Sequence, residues 1–429
     1  MATLSFALVA TFVVAQPASV MQAARQAMEA SQYAQAEKLY REALVQTPNS
    51  APVLTDLALS LQMQGRSADA MRYFSLALKQ GYVAETYALL AEEKCRMGDL
   101  DGTRPMLARI FRQERGNLRV LYAVAPCFLE LDEPVESAIV YQALLGGKDY
   151  PQDLALVQLA KSYIRSGQFF ATLLSKSTGS EPFMDALRKA PTAGSEGARS
   201  AFPAAAKLSS NFDPNLGWAD AVARWRAHPQ DTALLSLLSV LSAEQGMKQI
   251  EQCDDQFPAS IHLEEFHADV LADQGHGDEA VAEYEELMRT HPDLSELGYN
   301  LGLLHEKREE WPQAAEAYRK QLAAYPNDER AVSHLSRCLL QMGQYTALRE
   351  LIEPRVRAGH APQWASLNLA EAAQKMGNLK DAIAILEAAG REPSPDKLVH
   401  YRLMHLYTLS GRPDDAKREL ALFQAASRQ

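Results

Sequence analysis

A spacing of 34 residues runs through this chain and limits what it can fold into. Ala280, Tyr284 and Pro292 of "GDEAVAEYEELMRTHPD" reappear 34 positions on as Ala314, Tyr318 and Pro326 of "WPQAAEAYRKQLAAYPND". Further steps of 34 reach Ala382 and Ala416, with Leu348 standing where one alanine is due. Gly343, Gly377 and Gly411 keep the same interval. Near the other end, "YAQAEKLYREALVQTPNS" carries Ala36, Tyr40, Ala43 and Pro48, followed 34 residues later by Ala70, Phe74 and Ala77. A fixed period of this length is the mark of stacked helix-turn-helix units.

Each unit has a physical reason for its residues. A first helix of about three turns stops at a glycine such as Gly65, Gly98 or Gly377, which tolerates a left-handed backbone. In the second helix the alanine lets two backbones approach, and the aromatic four residues later lies on the same face. A proline then ends the helix before the next unit. One unit cannot bury its apolar face alone, so neighbours must stack. Composition agrees: 47% of the residues are hydrophobic, and the 22 glycines and 21 prolines mostly punctuate. A solenoid also grows in one dimension, so 429 residues need not be divided into globular domains.

This pattern resembles the tetratricopeptide repeat family. The resemblance is strong over 17–115 and 261–429 and weak between. It implies an all-α, right-handed superhelical solenoid of stacked helix-turn-helix repeats whose concave groove holds a protein or peptide. The expected organisation is a signal peptide at 1–15, an N-terminal repeat array at 16–168, a divergent region and possible hinge at 169–258, and a C-terminal array at 259–429.

Residues 4–15, "LSFALVATFVVA", form an apolar run followed by "QPASVMQ", with Val13 and Ala15 where a signal peptidase reads small residues. The run is too short to span a membrane. Export to the periplasm or beyond is therefore expected, with a cytoplasmic location as the alternative, since "MAT" brings no Lys or Arg before the run. Cys95, Cys127, Cys253 and Cys338 sit in separate units without a CxxC pair, which suits buried free thiols.

The centre departs from the period. After Gly167, "QFFATLLSKSTGSEPF" leaves too few residues for a full second helix. Residues 190–214 read either as a linker or as a decayed unit in which Ala198, Phe202 and Ala205 repeat the spacing of Ala36, Tyr40 and Ala43, with Pro203 against a regular helix. "ALLSLLSVLSAEQG", 233–246, is expected as a first helix and "MKQIEQCDDQFP" as a short second one. Trp218 and Trp225, seven apart around Val222, are expected to face a core.

Charge and motifs exclude several functions. Residues 260–320 hold fifteen acidic and five basic residues, a balance of −10 within a chain of net −11. They form a solvated outer face or an acidic patch for a basic partner. Nucleic acid needs a basic stripe, and none occurs. No GxGxxG, P-loop, HExxH or GxSxG is present, and the SxxK match at Ser394–Lys397 lacks its companion motifs. Adjacent acids such as Glu264 and Glu265 point about 100° apart on a helix and cannot flank one bond. His262 and His267, like His400 and His405, are five apart, which is poor spacing for two metal ligands on one helical face. Neither a catalytic constellation, a cofactor nor a metal site is expected.

By the family's frame the groove positions on the first helices include Tyr299, Asn300, His334, Arg337, Trp364, Asn368, Arg402 and His405. Asn368 followed by Arg402 is similar to part of the carboxylate clamp with which some family members hold a peptide C-terminus. Ser333 and Arg337 stand where that clamp has lysine and asparagine. The resemblance implies a non-enzymatic protein-interaction scaffold, with an accessory or assembly subunit of an envelope enzyme or export complex as the alternative. An enzyme with its chemistry at 175–230 would need polar constellations which that stretch lacks. Leu420, Leu422 and Phe423 of the last helix form an apolar edge, and self-association is expected there.

Overall fold

The computed structural model describes residues 17–148, 150–178, 180–181, 184, 216–292, 296–326, 328–357, 362–391 and 397–427. The leader at 1–15, the segment 190–214 and Ser394 lie outside the described residues. Among the described residues there are twenty-one α-helices and no strand. They belong to two compact units, Met1–Glu93 and Lys94–Gln429.

The first unit contains α1 (Pro17–Glu29), α2 (Tyr33–Gln46), α3 (Ala51–Gln62), α4 (Ser67–Gln80) and most of α5 (Ala84–Arg96), whose last turn lies past Glu93. Short connections fold α2, α3 and α4 each back on the helix before, and α1 with α2 and α3 with α4 pack as hairpins. Ala36 and Ala70 are completely buried, as their place between two backbones requires, and Tyr40 and Phe74 fill the core four residues on. The first helices are also tied directly, by a 3.0 Å hydrogen bond between the Thr55 and Thr86 hydroxyls.

The second unit opens with α6 (Leu100–Gln113), α7 (Leu118–Glu130) and α8 (Pro134–Leu144), then α9 (Gln152–Ser175), α10 (Trp218–Ala227) and α11 (Thr232–Gln256). Five hairpins follow: α12 (Ile261–Asp273) with α13 (Gly277–Thr290), α14 (Leu297–Lys307) with α15 (Trp311–Ala324), α16 (Glu329–Gln341) with α17 (Tyr345–Arg357), α18 (Gln363–Lys375) with α19 (Leu379–Ala389), and α20 (Lys397–Leu409) with α21 (Pro413–Ala426). Ala280, Ala314 and Ala382 are completely buried, and so is Leu348, the one departure from alanine. The tyrosines explain a glycine inside α14: a Cβ on Gly302 would lie 2.4 Å from the Tyr318 ring. One repeat earlier, the same place under Tyr284 holds buried Ala268.

The period also appears in the backbone. Gly65, Gly98, Gly275, Gly343, Gly377 and Gly411 have positive φ at the ends of first helices. Ser31, Asp132 and Glu309 adopt the same left-handed conformation, at φ 57°, 56° and 59°. They stand 34 residues from Gly65, Gly98 and Gly343 respectively, so each marks a repeat turn that lacks its glycine.

The centre differs from the sequence expectation. Gly167 does not end a helix, and 233–246 with the residues after it is not a pair: α9 and α11 are single helices of 24 and 25 residues. These two long helices pack on each other. A Cβ on Gly167 would come within 3.0 Å of the Ser239 carbonyl oxygen, and one on Gly246 within 2.8 Å of Ile164 Cγ1. Both glycines serve close helix approach, not a helix stop. Trp218 faces the core as expected: its indole donates to Ser242 Oγ at 2.8 Å, and its ring meets Tyr163 edge-on. Trp225 is half-buried, edge-on to Phe169 and Phe170, and lines a recess of about 500 Å³ with Phe111 and Phe128.

Candidate functional site

The eight expected groove residues all fall on first helices of the second unit. Tyr299 and Asn300 lie on α14, His334 and Arg337 on α16, Trp364 and Asn368 on α18, and Arg402 and His405 on α20. Side-chain caps set two of the first helices locally. Asp328 Oδ1 accepts from the Arg330 and Ala331 amides to start α16, and Ser260 Oγ accepts from the Leu263 amide to start α12.

Six of the eight side chains form rungs from one first helix to the next. Asn300 Nδ2 donates to Glu265 of α12 at 2.8 Å. Asn368 Nδ2 donates to Ser336 Oγ of α16 at 2.8 Å, and Arg402 donates to Glu371 of α18 at 2.8 Å. The largest rung gathers on Glu306 of α14, which is buried. Arg337 grips it with both arms, Nε to Oε1 at 2.9 Å and Nη2 to Oε2 at 2.6 Å. His334 Nδ1 lies 2.6 Å from Oε2, and Tyr318 donates to the same oxygen at 2.9 Å. With Nδ1–H given to the carboxylate, Nε2 of a neutral ring accepts from the Tyr299 hydroxyl at 3.2 Å. The Arg330 guanidinium covers the Tyr299 ring, 4.7 Å from its centroid.

The electrostatics follow from these contacts. Burial alone would raise the Glu306 carboxyl, but the hydrogen bonds from His334, Arg337 and Tyr318 outweigh it and hold the group at about 2. Burial, reinforced by the Glu306 charge, pushes the Cys338 thiol up to about 12. That thiol is no nucleophile. Burial also raises the Glu265 carboxyl, and Lys161 pulls it partly back. Arg337 and Arg402 remain 53% and 38% exposed, so each guanidinium holds a carboxylate of its own wall and still meets solvent. Trp364 is half-buried against the core around Leu335 and Leu369, and His405 is exposed.

The carboxylates in these rungs are what sequence reasoning missed. A signal was present: Arg337 follows Glu306 by 31 residues, and Arg402 follows Glu371 by 31. That offset is one repeat less one helical turn, the distance at which adjacent first helices present facing side chains. Much of the acidic 260–320 stretch is likewise paired. Asp269 bonds Lys161, Asp273 bonds Lys307, Asp278 and Glu310 bond Arg308, and Glu296 bonds Arg330. Among the described residues no group of three or more His, Cys, Asp or Glu side chains is arranged to hold a metal ion. No described helix is long and apolar enough to cross a membrane.

Residues 21–82 and 267–347 match the tetratricopeptide repeat family model TPR_16. The chain is a tetratricopeptide repeat protein. No curated protein matches it. Solved structures with a similar course include MamA from Desulfovibrio magneticus, 20% identical, with 39% of this chain and 95% of that one covered and a TM-score of 0.35. Pseudomonas aeruginosa pilF is 16% identical, with 48% and 93% covered and a TM-score of 0.35. A tetratricopeptide repeat protein from Parabacteroides merdae is 15% identical, with 60% and 93% covered and a TM-score of 0.32. The tetratricopeptide repeats support a protein-interaction scaffold.

Proposed function

We propose that this tetratricopeptide repeat protein is a non-enzymatic scaffold whose first-helix wall, α14 to α20, holds an extended segment of a partner protein. The observation that carries this is the ladder of donors. Arg337 and Arg402 are each fixed by one wall carboxylate, so their outward N–H groups are already positioned for a ligand carboxylate or backbone carbonyl. Trp364, half-buried beside Asn368, supplies a rigid apolar surface. Fixed donors around a rigid aromatic side chain suit recognition of an extended chain.

Photo-crosslinking tests this. A photoreactive residue is placed at His405 or Trp364 on the wall, and at exposed Lys320 on the second helix α15 as a control. In the native host, the wall positions capture one partner that the Lys320 position does not. Equal capture from all three positions would contradict the proposal.

A further inference from the structure

Two faces of helix α6 meet the rest of the second unit. Thr103, Leu107 and Ile110 take the repeat's core positions and are completely buried. Arg104, Ala108 and Phe111, each one residue further on, instead line the recess of about 500 Å³, together with Phe128 of α7, Phe169 of α9 and Trp225 of α10. The recess lies where the 34-residue period breaks. Because α9 runs on past Gly167, Phe169 and Phe170 come edge-on to Trp225, at 6.0 and 5.1 Å between ring centroids. The volume these rings leave is that of a small-ligand site.

The two ends of the recess differ in charge. Two turns of α6, about 12 Å, separate Arg104 from Arg112. At the first end Arg104 is tied to Glu133 and to the Leu131 carbonyl, and Asp132 lines the recess beside them. At the second end three guanidiniums gather at Phe111. Arg115 lies 4.6 Å and Arg226 5.8 Å from its ring centroid, and Arg112 is the next residue along α6. Glu136 neutralises Arg226 at 2.9 Å. Arg112 and Arg115 give their Nε groups to the Ala108 and Phe111 carbonyls of α6 and meet no carboxylate among the described residues. The recess also holds the buried indole N–H of Trp225, which has no acceptor among the described residues.

We propose that this recess binds a small organic acid, with its carboxylate on Arg112 and an apolar ring among Phe111, Phe169 and Trp225. A purely apolar ligand would leave Arg112 unanswered, and a cation would be repelled by Arg112 and Arg115. A carboxylate next to a ring meets both needs. The free Nη groups of Arg112 grip the carboxylate at the rim, and the ring packs against the aromatic side chains inside. Asp132, at the far end, repels a second acid there and limits the ligand to one carboxylate. The site uses no residue of the first-helix wall, so the two readings stand or fall separately.

Ligand-observed NMR titration of the full chain with 4-phenylbutyrate at low salt tests the proposal. The acid binds with a Kd of about 1 mM or tighter, and its uncharged amide binds at least about tenfold more weakly. Arg112→Gln, at an exposed and unpaired position, weakens the acid by about five- to tenfold. Ala108→Trp, also on the exposed surface of α6, fills the recess and abolishes binding. Arg319→Gln, exposed on α15, leaves it unchanged. Helicity and Tm stay at the wild-type values in all three variants. No binding of the acid, equal binding of acid and amide, or wild-type affinity in Arg112→Gln or Ala108→Trp would overturn the inference.

Discussion

Glu306 shows how one side chain joins stability to the proposed wall. It is buried, it receives Arg337, His334 and Tyr318, and its carboxyl is held at about 2 against an ordinary 4.5. A group whose folded pKa is depressed contributes stability above its unfolded value and loses it as pH falls through the folded one. The contribution is therefore complete above about pH 4.5 and gone near pH 2, on the order of 3 kcal/mol. Glu306→Gln is expected to cost about that much in urea unfolding at pH 7, and its deficit is expected to vanish as the titration is repeated towards pH 2. A deficit that stays constant with pH would show that shape, and not charge, holds this rung.

Elements were the most legible level, and they also show where legibility stops. Buried alanines, aromatics four residues on and glycine-ended first helices all follow from a short-range rule that the 34-residue period repeats. The turns at Ser31, Asp132 and Glu309 escaped notice because their residue types carry no mark of a left-handed backbone; only the register places them there. Glu309 is strained by about 1–2 kcal/mol in that conformation, whereas glycine is at ease in it. After the entropy glycine adds to the unfolded chain, Glu309→Gly is expected to stabilise the protein by about 0.5–1 kcal/mol, seen as a higher Tm. An unchanged or lower Tm would mean that the Glu309 side chain does more at this turn than its backbone costs. The same rule misled at Gly167 and Gly246, because a glycine that stops a helix and one that lets two helices touch look alike until the partner helix is known.

Across the whole chain, the repeats state their fold in sequence but not their site. Positions on the first helices could be picked from the period, and the structure sets all eight there. What periodicity could not say is that Asn300, Arg337, Asn368 and Arg402 each already hold a group of the preceding repeat, because a rung depends on two residues about 31–35 apart. The rungs turn a list of exposed donors into a wall with fixed geometry, and they give its central claim a direct test. In calorimetric titrations with the crosslinked partner's segment, Arg402→Ala is expected to weaken binding by roughly tenfold, through loss of one charge-assisted bond. Glu371→Gln, which releases the Arg402 guanidinium from its fixed position, is expected to weaken it as well, by a smaller factor. Weaker binding in both variants, with helicity unchanged in each, is what a pre-organised binding wall predicts. Unchanged affinity in both, or tighter binding on release of Arg402, would contradict it and leave these rungs as structural ties alone.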